Sequence, residues 1–355
     1  MSRTQYPTLI EDGESVLILD QTRLPREAVK LRLVSLEDAA HAIRVMQVRG
    51  APLIGATAAY GVALGLADDA GDTRLNHVID TLAATRPTAV NLHWALARMR
   101  RVLQESALAA RRDAAWNEAR AIATEDKAAN AAIGQHGLSL LQARQQGSRP
   151  INVMTHCNAG RLATVDNGTA ISPVYAAHAA GLPVHVWVSE TRPRNQGLLT
   201  AWELAAHGVP YTLIADNAGG HLMQRGQVDV VIVGADRVTR HGDVCNKIGT
   251  YLKALAAHDN GVPFYAAVPS PTIDWQVRDA LAEIPIEDRG GDELRRVGGL
   301  DAQGQPAQVA IAPPDTPAAN PAFDVTPARL VTGLITERGV CAASAEGLRK
   351  LFPTT

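Results

Sequence analysis

Cys157 and Asp236 are the two side chains of this sequence best placed to do chemistry on a small molecule. Each ends a short apolar run, INVMTH before the cysteine and VDVVIVGA before the aspartate. A helix beginning after Cys157 would stabilise its thiolate form, although a free cysteine is most often a buried apolar residue. A partly buried Asp236 would have a raised pKa, which suits a general acid, although such a carboxylate often only caps a helix.

Three segments have the features of an anion site at the start of a helix. In VRGAPLIGATAAYG, Arg49 and Gly50 precede Pro52, a residue that favours the first helical turn. Free N–H groups there, next to a basic side chain, would bind a phosphate. The other candidate ligands are Arg86, Asn246, Lys247 and, for a hydroxyl group, Gln196. Each segment could also be a plain turn, but three on one chain favour a phosphorylated ligand.

The elements that must position these residues form an alternating pattern after residue 150. Short apolar, β-branched runs alternate with helix-like segments such as SPVYAAHAAG and GLLTAWELAAHG. This alternation predicts right-handed βαβ units and a mostly parallel sheet. The predicted strands are PINVMTHC, PVHVWVSE, PYTLIAD, VDVVIVGAD and PFYAAVP. Because ligands bind beyond the carboxyl ends of such strands, we expect Cys157, Glu190, Asp216 and Asp236 along one edge of the sheet.

The first part of the chain has a different pattern. It is rich in Ala, Leu, Arg and Glu, and LEDAAHAIRVM, 52–67 and LHWALARMRRVLQE have helical spacing. ESVLILD and AVKLRLVS read as short strands, and the polar segment 142–150 is a candidate boundary. We therefore predict an α/β protein. A mainly helical domain with short strands spans 1–145, and a domain with a mostly parallel sheet flanked by helices spans 146–355.

Composition excludes several classes of function. The chain has 355 residues and a net charge of −2, so no overall field attracts nucleic acid or an anionic membrane. Aromatic residues make up 4%, which argues against a base-stacking surface. Neither a spanning apolar run nor a secretory signal is present. The three cysteines and eleven histidines form neither a disulfide framework nor a zinc spacing. We expect a cytoplasmic protein with reduced thiols and no metal ion.

Seven segments of the sequence, taken together and in order, resemble a known family. They are VRGAPLIGATAAYG, TRPTAVNL, THCNAG, SETRPRNQG, DNAGGHLM, VGADRVTRHGDVCNKIGTY and NPAFDVTPARLVTGLITERG. With these segments the sequence is similar to the S-methyl-5-thioribose-1-phosphate isomerases, the aldose–ketose isomerases of methionine salvage. Their superfamily also holds ribose-1,5-bisphosphate isomerases, 5-deoxyribose-1-phosphate isomerases and regulatory subunits of a translation-initiation exchange factor.

The resemblance implies a site, an assembly and a reaction. It matches the family's catalytic cysteine to Cys157 and its catalytic aspartate to Asp236. It implies a Rossmann-like domain over 146–355, a homodimer, a sugar phosphate as substrate, and neither a metal nor an organic cofactor. Hydrogen would move from C2 to C1 of the sugar, either as a proton through Cys157 or as a hydride. The residues that match the family's ligand positions are Arg49, Gly50, Ala51, Arg86, Gln196, Asn246 and Lys247.

One segment departs from the family pattern. After CNAG the family usually has a glycine-rich stretch that ends in GTALG, whereas this chain reads LATVDNGTAIS, with Asp166 and Asn167. The departure leaves open whether the sugar carries a methylthio group, a deoxy carbon or a second phosphate. A non-catalytic subunit that binds phosphorylated ligands is a further alternative, but retention of both Cys157 and Asp236 argues against it.

Overall fold

The computed structural model describes residues 6–353. In chain order, its strands are β1 Leu9–Asp12, β2 Ser15–Leu19, β3 Lys30–Leu33, β4 Ile151–Thr155, β5 Val184–Ser189, β6 Tyr211–Ile214, β7 Val230–Val233, β8 Arg237–Thr239, β9 Val244–Lys247, β10 Phe264–Ala267, β11 Ile273–Asp274, β12 Arg296–Leu300, β13 Pro306–Ala310, β14 Phe323–Thr326, β15 Gly333–Thr336 and β16 Gly339–Cys341. Its helices are α1 Leu36–Arg44, α2 Ala51–Gly65, α3 Asp72–Ala83, α4 Val90–Glu105, α5 Arg111–Gln142, α6 Ser172–Ala179, α7 Gly197–His207, α8 Ala218–Gln224, α9 Thr250–Asp259, α10 Ala280–Glu283, α11 Asp292–Arg295 and α12 Ala345–Leu351.

The N-terminal part is a helical bundle next to a small antiparallel sheet. Strands β1, β2 and β3 form that sheet in chain order, and α1 to α5 pack beside it. Helix α2 is apolar on all sides, so it lies in the centre, against α4 and α5. Only Pro52 among its residues is not fully buried. The predicted helical region with short strands is therefore confirmed.

The second part is built around a seven-stranded sheet in the order β16-β15-β10-β7-β4-β5-β6. Neighbouring strands are parallel except for the β15–β16 pair at one edge. The predicted mostly parallel sheet is thus confirmed. Numbered by their order along the chain, the six parallel strands run 3-2-1-4-5-6, which is the order of doubly wound sheets. The order reverses between β4 and β7, and a ligand crevice is expected beyond their carboxyl ends.

A four-stranded sheet in the order β11-β8-β9-β14 covers that end of the large sheet. The β8–β9 hairpin follows β7 directly, so the residues at the end of β9 return toward the end of β7. The backbone N–H of Asp236 donates to the Cys245 carbonyl at 3.0 Å and joins the two elements. This connection brings Asn246 and Lys247 to the crevice.

Helix α5 packs in two hydrophobic cores, one in each part of the chain. Trp116 and Ile122, in its first half, lie in the core of the helical bundle. Ile133 and Leu141, in its second half, lie in the core of the parallel sheet. The division into domains at residues 145 and 146 stays a prediction.

Two kinds of feature are missing from the part of the chain that is described. Within residues 6–353, no helix is long and apolar enough to cross a membrane. Over the same range, no cluster of three or more His, Cys, Asp or Glu side chains could hold a metal ion. The cytoplasmic location, the homodimer and the absence of a cofactor stay predictions.

Candidate active site

Cys157 and Asp236 open into one crevice at the point where the strand order reverses. Cys157 lies two residues after β4, and Asp236 lies three residues after β7, the neighbouring strand. The crevice has about 730 Å³ of empty space, part of it open to solvent. All the site residues predicted from the sequence line it, namely Arg49, Gly50, Ala51, Arg86, Cys157, Gln196, Asp236, Asn246 and Lys247.

Cys157 has a backbone conformation that is uncommon for a residue with a side chain. Its φ is 66°, in the left-handed region, where such residues are strained. Two threonines hold it there: its N–H donates to Thr191 Oγ1 at 2.8 Å, and its carbonyl accepts from Thr200 Oγ1 at 2.9 Å. A non-glycine residue fixed in this conformation is more common at functional sites than elsewhere.

The Cys157 thiol is buried, and burial raises its pKa, with Arg49 and Lys247 opposing the shift. Within the described residues, no α-helix begins directly after the cysteine. A single 3-10 turn at Arg161–Ala163 follows instead, and α6 begins only at Ser172. The cysteine is therefore followed by a short turn rather than by an α-helix, and the raised pKa of the buried thiol favours its neutral form.

Asp236 is partly exposed to the crevice but otherwise surrounded by protein. Burial raises the pKa of its carboxyl group, and the nearby charges of Lys247, Arg86 and Arg49 oppose that shift. A carboxyl with a raised pKa keeps its proton at higher pH than an exposed aspartate does. This arrangement suits a proton donor that works next to bound anions.

The start of α2 forms one wall of the crevice. Gly50 precedes the helix with φ 91°, and no side chain caps the first turn. A Cβ at Gly50 would lie 2.5 Å from the Ala163 Cα atom, so only glycine fits without a shift of the chain. The uncapped N–H groups and the positive end of the helix dipole make this wall an anion site.

The other two predicted helix starts do not reach the crevice. The first residues of α4 and α9 are absent from its lining. At α9, Asp324 occupies the helix start by accepting hydrogen bonds from the Gly249 and Tyr251 N–H groups, at 2.7 and 3.1 Å. Arg86 and Lys247 therefore contribute side chains to the crevice rather than helix N-termini.

Two further arginines in the crevice were not predicted as ligands. Arg194 and Arg289 join Arg49, Arg86 and Lys247 in its lining. Arg194 Nη1 lies 2.7 Å from Glu293 Oε1, and Arg289 Nη1 lies 2.7 Å from Glu287 Oε1. Arg194 belongs to the same RPRNQG segment as Gln196, which could have revealed it, whereas Arg289 follows an acidic stretch and carries no such signal.

Glu287 and Glu293 link the arginines of the rim. Glu287 Oε2 also lies 3.4 Å from Arg86 Nη2, so one carboxylate contacts two of the crevice arginines. Glu293 likewise contacts both Arg194 and Arg289. Ionic contacts of this kind hold guanidinium groups in place while their remaining N–H groups stay available to a ligand.

Polar and apolar contacts complete the lining. Gln196 is buried, and its Oε1 atom has no hydrogen-bond partner among residues 6–353, so it can accept from a ligand hydroxyl. Asn246 Nδ2 donates to Thr250 Oγ1 at 3.0 Å. Lys247 Nζ lies 4.4 Å from the centre of the Phe323 ring, and burial lowers its pKa. Met46, Ile54 and Phe323 add apolar surface.

Glu190 and Asp216 lie outside the crevice lining, although both follow strands at the same edge of the sheet. Asp216 accepts hydrogen bonds from Ser189 Oγ, the Thr191 N–H and the Arg192 N–H, at 2.5, 2.8 and 2.7 Å. It therefore fixes the loop that carries Thr191, the residue that accepts the Cys157 N–H.

Two residues of the segment that departs from the family pattern, Ala163 and Thr169, line the crevice, whereas its two unexpected polar residues do not. Asp166 and Asn167 are absent from the lining, and Asn167 Nδ2 donates to the Lys127 carbonyl on α5 at 3.4 Å. Asn167 has φ 71°, a conformation that asparagine adopts more readily than most residues. Asp166 and Asn167 themselves thus add no side chain to the lining of the crevice.

Known proteins resemble this chain over nearly all of its length. The model of the initiation factor 2 subunit family matches residues 47–343. The methylthioribose-1-phosphate isomerase of Rhodospirillum rubrum is 62% identical over 99% of this chain and 92% of its own. That of Dechloromonas aromatica is 63% identical over 96% of this chain and 94% of its own.

Two solved structures superpose on this chain over nearly all of its length. The 5-methylthioribose 1-phosphate isomerase of Pyrococcus horikoshii superposes with a TM-score of 0.84 at 40% identity, covering 99% of this chain and 97% of its own. A structure described as the delta subunit of translation initiation factor eIF-2B from A. fulgidus gives 0.81 at 38% identity, covering 98% of this chain and 100% of its own. The chain therefore belongs to the methylthioribose-1-phosphate isomerases, within the wider initiation factor 2 subunit family.

Proposed function

We propose that this chain is the aldose–ketose isomerase of methionine salvage that converts S-methyl-5-thio-α-D-ribose 1-phosphate to S-methyl-5-thio-D-ribulose 1-phosphate. The observation that carries the proposal is the shared crevice of Cys157 and Asp236, in a chain 62% identical to a methylthioribose-1-phosphate isomerase. A thiol, a carboxyl group with a raised pKa and five cationic side chains converge there.

The phosphate would bind between the start of α2 and the cationic side chains. Gly50 and Ala51 offer backbone N–H groups at the uncapped helix start. Arg49, Arg86 and Lys247 supply positive charge from separate elements of the fold. Charge-assisted hydrogen bonds to phosphate oxygens are short and strong, so they would fix C1 of the sugar in one position.

Ring opening needs an acid because C1 carries the phosphate and cannot become a free aldehyde. Protonated Asp236 would donate its proton to the ring oxygen as the C1–O bond breaks. Positive charge then develops at C1, and Asp236 is left as a carboxylate that stabilises it. The reaction gains one proton at the ring oxygen and later loses one from the C2 hydroxyl, when the ketone forms, so no net proton is consumed.

Two routes can then move hydrogen from C2 to C1. In the first, a Cys157 thiolate removes the C2 proton and returns it to C1 through an enol. In the second, hydride shifts directly from C2 to the cation at C1, and Cys157 orders the transition state. The raised pKa of the buried thiol favours the hydride route, since a neutral thiol is a weak base.

The tail of the sugar separates the competing substrates. Met46, Ile54 and Phe323 offer an apolar surface that suits a methylthio group. A deoxy carbon fits the same kind of surface with less contact, whereas a second phosphate would need further cations. Arg194 and Arg289 are the side chains that could serve a second phosphate, and Glu293 and Glu287 offset part of their positive charge.

The test is an NMR assay of the purified chain with S-methyl-5-thio-α-D-ribose 1-phosphate, with 5-deoxyribose 1-phosphate and ribose 1,5-bisphosphate in parallel. Ketone signals from the methylthio sugar, lost in Cys157→Ala, are the expected result. Turnover of only one of the other sugars would move the substrate within the superfamily. If the folded protein converts none of the three sugars, a regulatory subunit that binds phosphorylated ligands and has no catalytic activity would be favoured.

A further inference from the structure

A buried glutamate lies behind the crevice, outside its lining. Glu203 sits on α7 and is 1% exposed. Its Oε1 atom accepts a hydrogen bond from Asn158 Nδ2 at 2.6 Å, and its Oε2 atom accepts one from the Tyr175 hydroxyl at 3.1 Å. The Leu162 N–H is a third donor to the same carboxyl group. A buried carboxyl surrounded by donors in this way is rigidly placed.

Asn158 connects this carboxyl to the anion site. Its Oδ1 atom accepts from Arg49 Nη1 at 2.5 Å, and its backbone carbonyl accepts from Arg49 Nη2 at 2.7 Å. Arginine can only donate, so the amide oxygen must face it, and the amide nitrogen must then face Glu203. Arg49 and Glu203 together thus fix the orientation of the Asn158 amide.

The surrounding chain is shaped to admit the carboxyl group. A Cβ at Gly160 would lie 2.6 Å from Glu203 Oε2, so a larger residue would displace the carboxyl. Thr200, one turn before Glu203 on α7, accepts from Asn158 Nδ2 at 3.1 Å and donates to the Cys157 carbonyl. The same network therefore reaches the backbone of the cysteine.

We propose that Glu203 is a positioning residue, whose buried carboxyl group orients Asn158 so that Asn158 holds the Arg49 guanidinium toward the phosphate of the sugar. The role rests on the proposed function for the identity of the sugar, but it concerns any phosphate ester bound in the crevice. Glu203 does not touch the substrate, because Asn158 lies between it and the crevice.

The test measures binding, so it does not depend on turnover. Glu203→Gln offers a single acceptor oxygen to three donors, and calorimetry with α-D-ribose 1-phosphate should show about tenfold weaker binding. Asn158→Ala should weaken binding at least as much. The double variant should bind no more weakly than Asn158→Ala alone, because Glu203 acts through the amide. Glu118→Gln, at a glutamate paired with Arg98 outside the crevice, should bind as the wild type does.

Two results would overturn the proposal: wild-type affinity in Glu203→Gln, or losses that multiply in the double variant. If Glu203→Gln does not fold, Glu203→Asp keeps the carboxyl group but draws it back from Asn158, and unchanged affinity there would also overturn the proposal. KM should rise about tenfold with kcat little changed, whereas a loosened fold would lower kcat and the melting temperature together. Weakened ribose 1-phosphate binding in a chain that turns over none of the sugars would leave the positioning role standing and reject only the proposed function.

Discussion

The Cys157 N–H donates to Thr191 Oγ1 at 2.8 Å, and this bond helps to hold a cysteine in the left-handed region of backbone space. Thr191 is itself at φ 64°, and its loop is held by Asp216. The position of the sulfur therefore depends on side chains from the ends of three neighbouring strands, β4, β5 and β6. It is a property of the assembled sheet edge rather than of the THCNAG segment alone.

The left-handed conformation predicts an unusual order of stability among variants of Cys157. Glycine adopts φ 66° without strain, so Cys157→Gly should be at least as stable as Cys157→Ala in urea unfolding, despite the greater freedom of glycine in the unfolded chain. Cys245, in the regular strand β9, is the control, because there the glycine variant should be less stable than alanine by about 1 kcal/mol. If the glycine variant is less stable than the alanine variant at both positions, the backbone at Cys157 is not strained.

Thiol reactivity follows from burial. Burial raises the pKa of Cys157, that of Cys245 to about 12 and that of Cys341 to about 11. A thiolate forms only as the pH approaches the pKa, so iodoacetamide at pH 7 should modify the folded protein slowly at all three residues. Intact-mass spectrometry would follow the reaction, with protein unfolded in urea as the fast control. Rapid modification of Cys157 at pH 7 would instead favour the proton-removal route.

Asp236→Asn should separate chemistry from binding. The amide keeps the shape of the side chain but cannot donate a carboxyl proton, so kcat should fall by about 10²- to 10⁴-fold. Ribose 1-phosphate affinity, measured by calorimetry, should stay within about threefold of the wild type, since Arg49, Arg86 and Lys247 remain. Asp68→Asn, at an exposed aspartate, is the control for the substitution itself. Near-normal turnover by Asp236→Asn would remove Asp236 as the acid.

Two glycines with positive φ should respond differently to alanine. At Gly13, with φ 64° and no atom within 4 Å of an added Cβ, the cost is backbone strain alone, about 1 kcal/mol. At Gly50, with φ 91°, the Cβ would also meet Ala163 Cα at 2.5 Å, and the cost should exceed roughly 3 kcal/mol. Chemical denaturation measures both, and phosphate binding should weaken only in Gly50→Ala. Equal losses of stability would contradict the close contact.

Asp126 should make the stability of the protein depend on pH. Burial raises its pKa to about 7, against hydrogen bonds from the Val165 N–H and Asn130 Nδ2. Because the folded pKa lies above the unfolded one, the unfolded chain ionises first, and stability from this group is lost as pH rises from about 4 to about 7.

The variant Asp126→Asn removes that loss. Its free energy of unfolding relative to the wild type should increase by about 1 to 3 kcal/mol between pH 4 and pH 7, a range that allows for the group's remaining contact with solvent. Urea unfolding at several pH values measures the difference, and exposed Asp68→Asn is the control for the substitution itself. A constant difference across this pH range would show that Asp126 is not held neutral.

Much of the site could be predicted from local sequence. An apolar run followed by a polar residue indicates the end of a buried strand, and parallel strands bring their ends to one edge of a sheet. That reasoning placed Cys157 and Asp236 together, and the structure has both in one crevice. The family resemblance added the ligand positions, of which Ala51 has no chemical signal of its own. Pro52, two residues after Gly50, marked the start of α2, since the first turn of a helix depends on local backbone preferences.

The sequence by itself thus determined the order of the elements, the mostly parallel sheet and the residues that end its strands, because these depend on patterns within a few residues. Only the tertiary structure decided which of these residues open to the crevice. Asp216 holds a loop outside the crevice, and Asp324 accepts hydrogen bonds at the start of α9. Arg289 lines the crevice and Glu203 binds Asn158, although no sequence pattern marked either residue. Their roles depend on hydrogen bonds between residues far apart in the chain, and no spacing along the sequence records those contacts.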